Sequence, residues 1–553
     1  MALLVLGPLL RYVGDTEASV WIETDAACEV DVLGHTARTF EVHGHHYAVV
    51  GLAGLERGAV IEYTVKLDGA EVWPPTAEAR PRPAIHTRRG ERRARLVFGS
   101  CRVGAPEREP YTDPPGAEHG FGIDALWAYS RRLQEGLEEW PDGLLLIGDQ
   151  VYADEVSPAT LDFIRARRDT SQPPGEEIAD FEEYTQLYRE SWTEPDIRWL
   201  LATVPSVMIF DDHDVIDDWN ISWEWLRDAR SCSWWDARIT GAFMSYWLYQ
   251  HIGNLTPPEL AEEPMYRTAV TKEGDVGPEL EAFARRADQE SAASRWASMR
   301  DFGRSRVLVV DSRAARVLDD YHREMVDDDE WDWIVEQSRH DVDHLLIVST
   351  LPVFLSPGVH HLESWNEAVC NGVWGRPAAA LGEHLRRALD LEHWPAFHDS
   401  FVRMVDLLRD VATGGDGARR PPASVSVIGG DIHNAYVAEV SLGRRDPGRS
   451  RVHQIVCSPF RNPLSPMQRR MIKLTGTRAA GAVMGALARG AGVRMPRVRW
   501  RFCTGPTFEN SVGIVELDGR RAEVTIYRAE PGDPADALQP LHSHLLSDGP
   551  RAD

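Results

Sequence analysis

The chain has 553 residues, of which 43% are hydrophobic and 26% are charged, a composition typical of globular proteins. One hydrophobic core rarely organises a chain of this length, so two domains are expected. The net charge of −26 at pH 7 argues against a general nucleic-acid binder, which needs cations to neutralise phosphates. It is compatible with a phosphate-bearing substrate if bound metal ions supply the attraction.

The cysteines and the N-terminus indicate where the protein works. Six cysteines are widely spaced and form no CxxC pair, which argues against a disulfide framework or a zinc finger. The N-terminal apolar run lacks the basic region and cleavage site of a signal peptide and is better interpreted as a first strand. No stretch reaches the ~20 apolar residues of a membrane-spanning helix. We therefore expect a cytoplasmic protein.

Residues 1–90 are predicted to form a small N-terminal β-sandwich, because short segments alternate between apolar and polar residues and are joined by glycine-bearing connections. The stretch from Ala70 to Arg93 is rich in proline and arginine and is interpreted as a linker. In residues 91–553, apolar runs alternate with helix-like segments, which predicts a layered α/β domain.

Four segments of the second domain consist of a short apolar run followed by polar residues that can bind metals. They are LVFGSCR (Leu96–Arg102), LLLIGDQVYADE (Leu144–Glu155), VMIFDDHDVIDDW (Val207–Trp219) and VSVIGGDIHNA (Val425–Ala435). Each run has the length of a buried strand. Because α/β proteins build their sites at the carboxyl ends of neighbouring strands, we expect these polar residues to converge on a hydrolytic metal centre.

Two segments carry donors whose spacing suits a shared metal centre. Asp149 and Tyr152 lie three residues apart after a predicted strand, where a carboxylate can bridge two cations and a phenolate suits trivalent iron. Asp431 and His433 lie two residues apart, so both can face one side of an extended segment. Imidazole at such a position is a common metal ligand or proton-transfer group, although a lone histidine is more often structural.

The third segment places five carboxylates and His213 between Asp211 and Asp218. Carboxylates so close together repel one another unless a cation lies between them. An acidic helix N-terminus is the structural alternative for one or two of them, but it does not account for the histidine.

Cys101, in the first segment, leaves three interpretations open. A buried free cysteine often behaves as a small apolar residue. It could instead be a nucleophile whose pKa is lowered by Arg102, or a ligand of the metal cluster. Arg102 could equally bind a phosphate through its guanidinium.

In this order, the motifs FGSCR, IGDQVYADE, FDDHDVIDD, VLVVDSR and IGGDIHNAYV resemble those of the alkaline phosphatase D (PhoD-like) family, within the calcineurin-like metallophosphoesterase group. FENSVGIVELDGR also resembles the actinobacterial type of this family. The resemblance spans roughly Ala94 to Ala529. It implies a layered α/β/β/α domain after a small β domain, with iron (Fe³⁺) and calcium (Ca²⁺) as cofactors.

Carried over residue by residue, the resemblance implies a set of metal ligands, with Asp149 shared between metals. These ligands are Cys101, Asp149, Tyr152, Asp218, Asp431 and His433. His213 would contact the phosphate or protonate the leaving group, Asp212 would orient it, and Arg102 is a further candidate for phosphate contact.

Two motif positions leave their roles open. The third motif of the family ends in an asparagine ligand where this chain has two aspartates; we assign the role to Asp218, with Asp217 as the alternative. Asp311 and Arg313 match a family motif and could be structural.

The function that the resemblance implies is hydrolysis of phosphodiesters, and as a second activity of phosphomonoesters, by a metal-bound hydroxide. A purple acid phosphatase type is the nearest alternative, since its GDxxY motif matches Asp149 and Tyr152, but it normally has a GNH segment and no Cys101 ligand. A non-catalytic phosphate- or lipid-binding module is the second alternative. The expected partner is a phosphate ester rather than a nucleic acid; the physiological substrate and the oligomeric state are left open.

Two further stretches carry predictions. Pro463–Phe502 contains nine Arg or Lys residues and no acidic residue, so a basic amphipathic helix there could contact an anionic membrane or a partner. We favour the alternative that its arginines pair with the protein's own carboxylates. In Pro357–Gly375, His360, His361 and Trp365 could shape the leaving-group side of a pocket, or the stretch could be a buried aromatic loop.

Overall fold

The computed structural model of the protein describes residues 2–75, 80–88, 90, 93–117, 119–319, 322–443 and 449–551. Short strands fill the N-terminal region: β1 (Leu4–Val13), β2 (Glu17–Thr24), β3 (Glu29–Val32), β4 (His35–Arg38), β5 (Phe40–Val42), β6 (His45–Ala53), β7 (Val60–Glu62), β8 (Val65–Leu67), β9 (Ala70–Trp73) and β10 (Ala84–His86). They form two four-stranded antiparallel sheets, β1-β2-β6-β5 and β4-β3-β8-β9, and the pair β7–β10. Val20 and Val50 of the first sheet share one buried core with Val30 and Leu67 of the second. The predicted N-terminal β domain is confirmed.

The predicted linker from Ala70 to Arg93 is wrong over part of its length. Strand β9 pairs with β8 and strand β10 pairs with β7 inside this stretch. Trp73 and Ile85 are buried in the N-terminal core, and this burial outweighs the turn-forming prolines around them. Residues 76–79, 89, 91 and 92 of the predicted linker lie outside the described residues.

The second domain contains two larger sheets. Its described strands are β11 (Arg93–Gly99), β12 (Gly143–Ile147), β13 (Ser206–Ile209), β14 (Ser298–Phe302), β15 (Ser305–Val310), β16 (Val317–Leu318), β17 (Arg323–Glu324), β18 (His344–Ser349), β19 (Ser424–Gly429), β20 (Ala435–Ser441), β21 (Arg451–Val456), β22 (Arg499–Thr507), β23 (Ser511–Asp518), β24 (Arg521–Ala529) and β25 (Leu538–Asp548). One sheet has the order β13-β12-β11-β23-β24-β25, and the other β14-β15-β18-β19-β21-β20-β22. Strands β11, β12 and β13 are parallel neighbours, as are β15, β18, β19 and β21.

Helices surround the two sheets. They are α1 (Ala125–Gln134), α2 (Pro158–Arg167), α3 (Phe181–Trp192), α4 (Pro195–Thr203), α5 (Trp223–Arg230), α6 (Trp235–Ser245), α7 (Ile252–Asn254), α8 (Pro257–Glu262), α9 (Pro264–Thr271), α10 (Gly277–Gln289), α11 (Asp328–Ser338), α12 (Pro357–Cys370), α13 (Arg376–Ala388), α14 (His398–Gly417), α15 (Pro466–Thr475) and α16 (Arg478–Gly490). Among these described helices, none combines the length and the apolar character needed to cross a membrane.

Side chains that alternate in direction along the strands pack into separate hydrophobic layers on the two faces of a sheet. In β18, Leu346 and Val348 pack into the hydrophobic core that also contains side chains of the other large sheet. Leu345 and Ile347 point to the opposite face and pack into a second core with side chains of α11 and α14. Successive side chains of a strand point to opposite faces, so this sheet is covered on both sides. The predicted layered α/β/β/α architecture is confirmed.

The fold brings the ends of four strands to one place. A Cβ atom at Gly430, just after β19, would lie 2.6 Å from the Ser100 Cβ and 2.8 Å from the Ile147 carbonyl oxygen. Only glycine therefore permits the loop after β19 to approach the ends of β11 and β12 this closely. The four polar segments of the sequence meet at this point.

Buried polar contacts join the N-terminal domain to the second domain. The Arg11 guanidinium donates to the carbonyl oxygens of Tyr249 and Gln250 at 2.6 and 2.8 Å. The His45 ring lies between Glu23 of its own domain, at 3.1 Å, and Glu182 of α3, at 2.8 Å. Burial lowers the pKa of His45, but the hydrogen bonds with the two carboxylates outweigh it and raise the pKa to about 9.

This contact predicts a pH dependence of stability. Because the pKa of His45 is raised on folding from about 6.5, its contribution is complete below pH ~6.5 and is lost as the pH rises through about 9. His45→Gln should therefore flatten the decline of the thermal midpoint between these pH values, measured by scanning calorimetry. The exposed His340→Gln serves as the control and should retain the decline. If the thermal midpoints of wild type and His45→Gln fell in parallel with rising pH, the decline would not be due to His45.

Candidate active site

A thiol, a carboxylate and an imidazole meet where β11, β12 and β19 end. Cys101, Asp149 and His433 each offer a ligand atom, and these three atoms lie within 4.8 Å of one another. The Cys101 sulfur is also 3.2 Å from the hydroxyls of Ser100 and Ser458. This combination of sulfur, oxygen and nitrogen donors is one that proteins use to hold transition metals, and the two hydroxyls fix the position of the sulfur.

A second group of carboxylates adjoins the first. Asp149, Asp211 and Asp212 also place one oxygen each within 4.8 Å of one another, so Asp149 belongs to both groups. Its Oδ1 is buried and has no hydrogen-bond partner among the described residues. Burial raises the pKa of Asp149 well above its ordinary value, and the neighbouring carboxylates raise it further. A carboxylate in this position can bridge two cations.

Tyr152 lies beside the shared carboxylate. Its hydroxyl is 3.4 Å from Asp149 Oδ2 and accepts a 3.0 Å hydrogen bond from the side-chain amide of Asn462. Burial and the charge of Asp149 raise the pKa of Tyr152 well above its ordinary value, so a phenolate forms here only with a cation nearby. The phenol oxygen thus lies next to the carboxylate shared by the two donor groups, and its ligand role stays a prediction.

The backbone at this junction is strained. Five predicted ligands have a positive φ: Cys101 (57°), Asp149 (48°), Asp218 (63°), Asp431 (62°) and His433 (47°). Residues other than glycine rarely adopt this conformation, which costs on the order of 1–3 kcal/mol at a site where the surrounding structure holds it in place. Such outliers concentrate at functional sites, and here they coincide with the predicted ligands.

Asp431 faces a second histidine that the sequence motifs did not indicate. The His393 Nε2 atom lies 3.5 Å from Asp431, and its Nδ1 atom lies 2.8 Å from the buried carboxylate of Glu363. Burial raises the pKa of Asp431, but the contacts with His393 and Arg313 outweigh it and lower the pKa to about 2. Asp431 therefore remains a carboxylate. No motif surrounds His393 in the sequence, so only the structure places it here.

Asp154 orients the His213 ring. The His213 Nδ1 atom lies 3.0 Å from both carboxylate oxygens of Asp154. Burial lowers the pKa of His213, but Asp154 and nearby carboxylates raise it well above its ordinary value. The orienting role predicted for Asp212 stays a prediction, because one of its carboxylate oxygens lies within 4.8 Å of a His213 ring nitrogen but the carboxylate is also 3.1 Å from Arg313. Asp154 lies within the IGDQVYADE motif, so its position was visible in the sequence although its role was not.

Arg313 is a buried cation that contacts several carboxylates of the site. It forms ion pairs with Asp211 and Glu392, lies 3.1 Å from Asp212, and is 3.8 Å from Asp431. Burial lowers the pKa of Arg313, but these carboxylates outweigh it and raise the pKa above its ordinary value. The sequence motif that contains Arg313 thus serves to organise the acidic groups around it.

Arg102 points away from the cavity. Its Nε donates to Asp124 at 2.6 Å, and one Nη donates to the Ser191 carbonyl at 2.8 Å. Asp124 in turn caps helix α1. This arrangement favours a structural role over the predicted phosphate contact. It also leaves Cys101 without an activating cation, and burial raises the pKa of Cys101 well above its ordinary value, which disfavours a cysteine nucleophile.

The two adjacent aspartates of the third motif take different positions. Asp217 groups with Asp212 and His213, although its side chain is 65% exposed. Asp218 is outside the groups of close donors found among the described residues, but its Oδ1 is buried without a hydrogen-bond partner. Burial and the carboxylates of Glu392 and Asp390 raise the pKa of Asp218 to about 9. The ligand role of Asp218 stays a prediction.

A cavity of about 520 Å³ opens onto these groups and is lined by His213, Asp431, His433 and His393. Pro357–Cys370 forms helix α12 and not a loop. Its neighbour Leu355 and its own residues Val359 and Leu362 form the apolar wall of the cavity. His360 is fully buried against Phe401 and Trp500, and His361 and Trp365 do not line the cavity; the predicted pocket-wall residues are thus corrected to others of the same segment.

Comparison with known proteins identifies the family. Residues 122–337 match the family model described as PhoD-like phosphatase. The chain carries a PhoD-like phosphatase domain. The predicted resemblance to the alkaline phosphatase D family is therefore confirmed, and the domain belongs to a family of phosphoesterases. Cys101, Asp431 and His433 lie outside the matched residues, and the fold brings them to the matched ones.

The remaining comparisons concern the rest of the chain and the fold. Residues 1–85 match a domain of unknown function (DUF7800). A solved structure of PhoD aligns with a TM-score of 0.55 at 12% identity, over 99% of this chain and 94% of that one, so the two chains share a fold. A maltogenic amylase from S. marinus aligns with a TM-score of only 0.20 at 9% identity, over 99% of this chain and 82% of that one. No curated protein matches the chain.

The buried ion pairs of Arg313 predict a large effect of its removal. Arg313→Met should lower the free energy of unfolding by about 3–5 kcal/mol, because several buried carboxylates lose their shared cation. Arg165→Met is the control, since Arg165 and its ion-pair partner Glu176 are both exposed, and it should cost about 1 kcal/mol or less. Denaturant unfolding measures both values. Equal effects would show that the Arg313 pairs do not hold the site together.

Proposed function

We propose that the protein is a metal-dependent phosphoesterase that hydrolyses phosphodiesters, with phosphomonoesters as a second substrate class. The observation that carries this proposal is the position of Asp149 in two groups of donors at once, beside a cavity. Two cations bridged by one carboxylate suit the displacement at phosphorus that hydrolysis requires. The family of the domain supports the same reaction class.

The donor sets suggest which metals bind. Cys101 and Tyr152 offer a thiolate and a phenolate, which suit iron, while Asp149, Asp218 and Asp431 offer the hard oxygens that calcium prefers. We propose His433 as a further ligand. Bound cations would lower the pKa of a bound water and neutralise the charge that develops on the phosphoryl oxygens.

His213 is proposed as the general acid. Its Nδ1 is held by Asp154 and it lines the cavity, so Nε2 is the nitrogen available to a substrate. A raised pKa keeps the ring protonated at neutral pH, which allows it to give a proton to the leaving oxygen. Asp217, 3.8 Å from Nε2, is mostly exposed and can move aside.

The alternatives fit fewer observations. A purple acid phosphatase type gives no role to Cys101, whose sulfur lies among the predicted ligands and receives contacts from two serine hydroxyls. A non-catalytic binding module gives no reason for a protonated histidine and a shared carboxylate in the same cavity. We also propose a cytoplasmic location, which is supported by the six free cysteines.

Removal of the thiol tests the metal centre. Cys101→Ala should lose its iron and at least about 100-fold in the turnover of bis-p-nitrophenyl phosphate, because an essential ligand is gone. The control Cys28→Ala removes a buried thiol of the N-terminal domain and should keep both its iron and its turnover. Full turnover with iron retained in Cys101→Ala would favour the purple-type site. A wild type that does not turn over any phosphate ester after metal reconstitution would favour the binding module.

The general-acid role predicts a dependence on the leaving group. His213→Gln should slow hydrolysis of diesters with alkyl leaving groups by roughly 10²–10⁴-fold, because these oxygens need a proton. Diesters with p-nitrophenolate, a stable anion, should be affected much less. Asp154→Asn should show the same pattern in weaker form. Equal losses on both substrate types would instead indicate that His213 only binds the phosphate.

A further inference from the structure

Helix α15 exposes a row of apolar side chains. Met467, Met471 and Leu474 lie at positions i, i+4 and i+7, so they share one face of the helix. Their exposed fractions are 70%, 50% and 68%. No residue of α15 is buried, so the described chain leaves this face open to solvent.

Helix α16 carries apolar residues on two faces, and only one of these faces packs against another described helix. A Cβ atom at Gly481 would lie 3.1 Å from Pro357, and one at Gly485 would lie 3.2 Å from His361. The helix therefore packs closely against α12. Val483 and Leu487, one turn apart on another face, remain 57% and 38% exposed. The close packing fixes α16 in place, while its exposed face lacks a described neighbour within the chain.

Most cations of Pro463–Phe502 have no ion-pair partner among the described residues. The sequence favours pairing of these cations with the protein's own carboxylates, but among the described residues only Arg501 of the nine forms an ion pair, with Glu439 at 3.3 Å. Arg470 and Lys473 are exposed on α15, and Arg478 and Arg489 on α16. A cluster of unpaired cations on a chain of net charge −26 gives this face a charge opposite to that of the rest.

The same helix borders the catalytic cavity. Gln468, Met471, Ile472 and Thr475 of α15 line it together with the apolar wall next to α12. Met471 is thus both a lining residue and a half-exposed one. The exposed apolar row is therefore continuous with the rim of the cavity.

We propose that α15 and α16 form a docking surface for an anionic lipid bilayer, which places the cavity mouth at the membrane. Exposed methionine and leucine side chains would enter the acyl region, while the arginines and the lysine would meet anionic headgroups. A nucleic acid would use the cations but not the apolar row. The substrate class that this implies is a phosphate ester carried at a membrane surface, and this last step rests on the proposed function.

Vesicle binding tests the surface directly. The full chain should cosediment with vesicles of phosphatidylglycerol and phosphatidylcholine, less with rising salt, and weakly with phosphatidylcholine alone. Arg470→Glu/Lys473→Glu and Met467→Ser/Leu474→Ser should each weaken binding at least about tenfold. The control Leu3→Ser/Arg82→Glu changes an exposed apolar residue and an exposed arginine of the N-terminal domain and should bind like wild type.

Several outcomes would overturn the docking proposal. They are absence of vesicle binding, equal binding of wild type and the two α15 variants, and salt-independent binding to neutral vesicles. A dimer seen by analytical ultracentrifugation and lost in Met467→Ser/Leu474→Ser would reassign the surface to a second copy of the chain. Turnover of a soluble diester should stay within about twofold of wild type in all these variants, since none changes a cavity residue. Vesicle binding needs no catalysis, so a protein that binds vesicles but hydrolyses no ester would refute the proposed function alone.

Discussion

An excess of buried negative charge around Arg313 is the constraint on which the centre of the protein depends. Asp211, Asp212 and Glu392 contact this one guanidinium, and one carboxylate oxygen each of Asp149 and Asp218 is buried without a hydrogen-bond partner among the described residues. A carboxylate removed from water must gain a proton, a cation or hydrogen bonds. The raised pKa values of Asp149 and Asp218 show that their negative charges are not fully compensated, and bound metal ions would compensate them.

The two sheets make this concentration of charge possible. Strands β11, β12 and β13 end side by side in one sheet, and β19 of the other sheet reaches them because Gly430 has no side chain. The donors are therefore held by rigid strand ends with a strained backbone rather than by long loops. Arg313 and the Asp154–His213 pair then fix the positions of the remaining polar groups.

Much of the fold and part of the site could be predicted from the sequence. Short apolar runs followed by ligand-type residues located Cys101, Asp149 and His433, because strand ends converge in α/β sheets. Residues without a motif could not be placed: His393 and Asn462 reach the site only through tertiary contacts. Arg102 illustrates the opposite error, since its position beside Cys101 in the chain gave no indication that its side chain turns toward Asp124.

The local errors have a similar origin. Prolines between Ala70 and Arg93 favoured a linker, but burial of Trp73 and Ile85 added two strands to the N-terminal domain. Asp212 is the neighbour of His213 in the chain, yet it is Asp154, from another loop, whose carboxylate lies 3.0 Å from the His213 Nδ1 atom. Local sequence identifies which residues carry chemistry, whereas packing decides which of them face each other.

The metal content of the wild-type protein, purified without chelators and measured by elemental mass spectrometry, tests the central claim most directly. We expect about two metal ions per chain, iron among them, because the buried carboxylates need cations. A protein that hydrolyses phosphodiesters at full rate after chelators have removed its metal would contradict it.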